Sequence, residues 1–128
     1  MSAATTQFPT ATILAYPRIG RGRELKRALE ARWAGRITEA ELIQAANDLR
    51  KENLARLVEL GLNPSDASLA DAPSLYDHVL DATILLGAIP PRFAGRQGLD
   101  LYFALARGAD EVGPGERTKW VDTHYHTL

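Results

Sequence analysis

The residues best suited to chemistry gather near the start of the chain. Arg18, Arg21, Arg23 and Lys26 surround a turn in residues 11–33, ATILAYPRIGRGRELKRALEARW. Free backbone N–H groups at a helix start favour anions, and guanidinium and ammonium groups beside them add to that. Apart from Glu24, the first-turn charges are the reverse of what the helix dipole prefers. Cations placed against a local preference point to a negatively charged ligand. The plainer alternative is a basic turn that faces water.

Two further groups are weaker. His124 and His126 form an H-x-H pair, which puts both rings on one face of a strand, with Asp122 beside them. Such pairs can ligate zinc, but two ligands, or three with Asp122, leave the tetrahedral set short. Histidines lining a barrel or held by hydrogen bonds are the alternative. Tyr76, Asp77 and His78 contain acid–base groups, although Asp77 is better explained as part of a helix cap. Trp33 and Trp120 read as core. No residue is assigned a catalytic or metal-binding role.

The elements that must position these groups follow from periodicity. Residues 11–16 are a short apolar run suited to a strand buried on both faces. Pro17 stops it, and Gly20 and Gly22 permit a sharp turn. From about residue 23, Leu25, Ala28, Leu29 and Trp33 recur at helical spacing, with Gly35 as a C-terminal cap. Thr38 and Glu41 form a capping box ahead of a long helix with an apolar stripe at Leu42, Ile43, Ala46, Leu49, Leu54, Leu57 and Leu60, closed by Gly61. Residues 62–74 carry turn formers and no sustained alternation. A third helix is expected over 75–86, with Ser74 and Asp77 as a second capping box and Gly87 behind it. Ile89-Pro90-Pro91 makes an extended turn. A fourth helix spans about 100–107 and stops at Gly108, and residues 118–125 read as one final strand.

This order suggests α/β architecture with parallel strands. Two strands cannot close an eight-stranded barrel of about 250 residues and make a poor sheet alone, so the sequence looks incomplete as a fold. Residues 1–10 are a flexible lead-in and 11–128 an incomplete domain. The 128 residues carry a net charge of −1, so no broad nucleic-acid surface is implied. The absence of cysteine excludes disulfides and thiolate metal sites within this sequence. No apolar run reaches transmembrane length and no signal-peptide core is visible, so a cytoplasmic setting is expected.

Several pieces together resemble the start of the N-terminal domain of cobalamin-independent methionine synthase. They are Tyr16-Pro-Arg-Ile-Gly20, Arg23-Glu-Leu-Lys26, Trp33-Ala-Gly35, Leu75-Tyr-Asp-His-Val-Leu-Asp81, Leu85-Leu-Gly87 and Thr118-Lys-Trp-Val-Asp-Thr-His-Tyr-His126. The resemblance implies a partial (β/α)₈ TIM-type barrel, N-terminal portion only, from a protein of two face-to-face barrels that transfers a methyl group from 5-methyltetrahydropteroyltri-L-glutamate to homocysteine, without cobalamin. It implies a zinc ion in a C-terminal catalytic barrel, which would be the partner of this part. It also implies that Arg23, Glu24, Leu25, Lys26 and Lys119 contact the folate substrate. A tail of several carboxylates suits a cluster of Arg and Lys. The sequence departs from the family pattern at residues 63–73, where a strand-like run is usual, at Arg117, where methionine is usual, and at His124 and Thr127. The reading is a fragment of a zinc-dependent methyltransferase that contributes folate-tail binding. The alternative is a non-catalytic module that binds polyglutamylated folate or a partner barrel.

Overall fold

The computed structural model describes residues 13, 16–63, 74–120 and 123–126, with the backbone alone at 118–120 and 123–125. Four helices, α1 (Glu24–Trp33), α2 (Glu39–Glu59), α3 (His78–Leu85) and α4 (Gly98–Arg107), are followed by strands β1 (Arg117–Trp120) and β2 (Thr123–His126). A single 3₁₀ turn, Pro91–Phe93, lies between α3 and α4. The chain forms two compact units, Met1–Leu75 and Tyr76–Leu128.

In the first unit α1 packs against α2 through Leu25 and Leu29 on one side and Leu42, Leu49 and Leu57 on the other, all buried. Each such leucine contributes on the order of 2 kcal/mol of burial. Ile43 and Leu60, also in the expected stripe, are exposed. The capping box at the start of α2 forms as expected. Thr38 Oγ1 accepts from the Glu41 N–H at 3.2 Å, and the Glu41 carboxylate accepts from the Thr38 N–H at 2.7 Å. The Thr38 N–H, and after it the Thr38 hydroxyl donating to Glu41 Oε2 at 2.8 Å, hold the Glu41 carboxyl below its ordinary value of 4.5.

Glycine ends three helices by one device. Gly35, Gly61 and Gly87 all take positive φ. At each, the glycine N–H bonds back to Arg32, Val58 or Ile84, and the next N–H reaches Ala31, Leu57 or Thr83. These paired bonds satisfy carbonyls that the helix leaves open.

The second unit is built on α4, where Leu101, Tyr102, Ala104, Leu105 and Ala106 are buried with Leu80 and Phe93. Arg96 bonds Asp100 at 2.9 Å and Asp110 at 2.6 Å, and those two bonds, Asp100 first, raise its pKa. Gly108, φ +81, ends α4. A Cβ there would stand 2.7 Å from the Val112 carbonyl oxygen.

Three expectations are corrected. The single strand over 118–125 is an antiparallel pair, β1 and β2, with Lys119 opposite His124 and Arg117 opposite His126. Two antiparallel strands need only a very short connection, and eight residues of strand-compatible type read the same whether they run straight or double back. The third helix starts at His78 rather than residue 75, because Asp77 is its N-cap and accepts from the Leu80 N–H at 2.9 Å. Proline 91 opens a 3₁₀ turn where only extended chain was expected; a proline lacks the N–H that a first helical position would leave unpaired. The described residues are mostly helical, with β1 and β2 as their strands. The expected strand at 11–16 and the loop at 62–74 fall largely outside them.

Candidate functional site

The cation-rich turn takes its shape from backbone bonds. The Arg23 N–H donates to the Gly20 carbonyl and the Leu25 N–H to the Ile19 carbonyl, both at 3.1 Å. Gly20 has φ +86. Arg23 is the N-cap residue of α1 at φ 62, ψ 36, and makes no side-chain cap bond. A non-glycine residue in this left-handed region costs about 1–2 kcal/mol. Strain of this kind tends to persist at functional positions.

The side chains divide by role. Arg21 and Arg23 are exposed and form no ion pair with a described residue. Lys26 faces Glu30 one turn on at 3.5 Å, with nearly half its side chain exposed. Such surface pairs contribute little and release the lysine readily. Arg27 reaches back, so that its Nη2 lies beside Gly22. Leu25, 3% exposed, is core. Glu24 accepts from the Gly22 N–H with both carboxylate oxygens at 3.0 Å. Arg18 is withdrawn from the cluster, because its Nη1 donates to the Leu75 carbonyl at 3.1 Å. Sequence reasoning missed that bond; nothing in the sequence marks a partner 57 residues away. Arg27 was also missed, although its position one turn beyond Arg23 carried the signal.

Lys119 belongs to the second unit, in the middle of β1. Its side chain, and those of His124 and Trp120, lie outside the described residues, as does Asp122. His126 is 5% exposed and its Nδ1 donates to the Asp77 carboxylate in a very short contact. Asp77 therefore works twice, capping α3 through Oδ1 and holding His126 through Oδ2. The Tyr76 ring meets His126 edge-on, and its N–H donates to the Tyr102 hydroxyl, which in turn donates to Asp81. Of the three candidates for acid–base work, Tyr76 and Asp77 are engaged within this polar cluster, whereas His78 is exposed with its Nδ1 3.6 Å from Asp81. His126 Nδ1 is likewise committed.

A profile of the family described as "Cobalamin-independent synthase, N-terminal domain" matches residues 10–128. The chain belongs to that family. It is 50% identical over 121 residues to the 5-methyltetrahydropteroyltriglutamate–homocysteine methyltransferase of Streptomyces coelicolor, covering 92% of this chain and 15% of the relative. The protein of the same name from Mycobacterium bovis is 50% identical over 120 residues, covering 93% of this chain and 15% of the relative. That from Rhodococcus jostii is 50% identical over 120 residues, covering 93% and 16%. The chain thus spans about 15% of the length of these relatives. Among the described residues no group of three or more His, Cys, Asp or Glu is placed to hold a metal ion. No helix among them is long and apolar enough to cross a membrane.

Proposed function

We propose that this chain contributes binding of a folate polyglutamate tail to methyl transfer from 5-methyltetrahydropteroyltriglutamate to homocysteine. Arg23 and Lys26 at the start of α1, with Lys119 on β1, supply the positive charge, and Glu24 and Leu25 complete the motif. The observation that carries the reading is the turn itself. The Arg23 side chain is held exposed by a backbone in the left-handed region, with no ion-pair partner among the described residues, at the start of α1. Relatives at half identity carry names that specify a substrate with three glutamates. Guanidinium and ammonium groups bind carboxylates through charge-assisted bonds, about twice as strong as neutral ones. Leu25, packed in the core, fixes the helix that bears them.

The same reading takes the segment as the opening part of a (β/α)₈ barrel domain in a cytoplasmic enzyme, with a C-terminal catalytic barrel as partner. The zinc ion implied by the resemblance belongs to the C-terminal barrel; among the described residues of this chain no three His, Cys, Asp or Glu are placed to hold a metal ion. What this chain does is bind and orient a polyanion.

The test is a titration of the chain with pteroyltriglutamate and pteroylmonoglutamate. Arg23→Ala and Lys119→Ala should each weaken triglutamate binding about tenfold, the loss expected for one charge-assisted contact. The monoglutamate should lose less. Equal losses for both tails would overturn the tail-binding role.

A further inference from the structure

One carboxylate fills the interior of the cationic turn. Glu24 is the first helical residue of α1, yet its side chain folds back to the turn before it. Both of its oxygens stand 3.0 Å from the Gly22 nitrogen. A Cβ built on Gly22 would lie 2.5 Å from Oε1. One built on Gly20 would overlap Oε2 and also meet Leu49 Cδ1 at 3.0 Å. Each glycine is thus empty where the carboxylate sits. Arg23, between Gly22 and Glu24, takes its left-handed conformation at that point.

We infer that Glu24 is a positioning residue for tail binding: it fastens the Gly20–Gly22 turn and so presents Arg23 and Lys26, without meeting the ligand. This rests on the tail-binding reading above. The charge argument runs the same way. A carboxylate aimed at a chain of carboxylates repels it, whereas one bound by a backbone N–H at a helix start is favourably placed and has its lone pairs engaged. The residue that holds Arg23 against its conformational preference is therefore the one acidic residue of the motif. Its shape complement is the pair of glycines.

The experiment compares the 128-residue chain with its Glu24→Ala, Glu24→Gln and Gly22→Ala forms by two readouts. NMR follows the exchange protection of the Gly22 amide and the strong intraresidue HN–Hα contact that marks positive φ at Arg23. Titration follows pteroyltriglutamate. Glu24→Ala and Gly22→Ala, the second displacing the carboxylate without removing its charge, should lose both NMR signals. Each should weaken triglutamate binding about as much as Arg23→Ala, roughly tenfold, with helix content unchanged. Glu24→Gln keeps an acceptor for Gly22 and should stay within about twofold of wild type on both readouts. Retention of the Gly22 and Arg23 signals in Glu24→Ala overturns the inference. So does severalfold tighter binding by Glu24→Gln, the mark of a carboxylate that faces the ligand. A wild-type chain indifferent to triglutamate overturns the binding reading instead, and the NMR signals then decide the clamp alone. If Glu24→Ala unfolds, the Gln and Gly22 forms carry the comparison.

Discussion

The turn before α1 and the cluster around Asp77 both concentrate polar groups, and they spend them differently. At Asp77 each charged or hydroxyl group is consumed by the fold. The carboxylate caps α3 and holds a buried histidine, and the Tyr102 hydroxyl joins the Tyr76 amide to Asp81. In the turn Glu24 is consumed by Gly22 and Arg18 by the Leu75 carbonyl, while Arg21 and Arg23 stay in solvent. Burial separates the two cases. A buried polar group without a partner costs several kcal/mol, and the groups of this cluster have partners, His126 Nε2 excepted. An exposed cation is already satisfied by water and stays available to an anion. The buried titratable residues around Asp77 thus read as structure, and the exposed cations of the turn as a receptor.

Substitutions can break or sharpen this contrast. The largest effect is expected from Asp77→Ala, which removes a helix cap (about 1 kcal/mol) and a hydrogen bond to a buried ring (about 2 kcal/mol). Chemical denaturation should show a loss of about 3 kcal/mol. A change below about 0.5 kcal/mol would remove the distinction between the regions. Tyr102→Phe should cost about 1.5 kcal/mol, because the Tyr76 amide loses its acceptor and Asp81 a donor; the denaturation midpoint measures it. Arg23→Gly should act with the opposite sign. Relief of the left-handed strain should raise stability by about 1 kcal/mol, seen as a higher Tm, while triglutamate binding falls. A stability gain with binding intact would show that the strain serves no ligand.

The smallest effect is at the exposed start of α2. The Glu41 carboxyl lies below its ordinary 4.5 because Thr38 bonds the charged form. Its contribution is therefore present above pH 4.5 and lost as the pH falls through the lower folded value. A helicity titration between neutral pH and pH 3 should show this fraying, and Glu41→Gln should abolish that part of the pH dependence.

Helix ends were the most legible feature. Thr38 with Glu41, and Gly35, Gly61, Gly87 and Gly108, stop or start helices where the sequence placed them, since capping is settled among residues a few positions apart. The third helix shows the limit. Ser74 and Asp77 match a capping box, yet Asp77 is the cap, and Tyr76, at intermediate burial, spends its N–H on a hydroxyl 26 residues away. The hairpin at 117–126 escaped for a related reason: alternation fixes which residues share a face but not whether the strand reverses. The cationic turn was legible as a set of charges, and the family motifs named its members. Which of those charges remain free was not legible.

The sequence by itself determined local matters: helix boundaries, the apolar faces of α1 and α2, and a cluster of positive charge at a turn. Tertiary structure alone decided that Arg18 is bound to a distant carbonyl and that Asp77 holds His126. Caps and periodicity are set by neighbours along the chain. The partner of a charged side chain is set by which segments folding brings within about 3 Å, and that distance has no signature in sequence order.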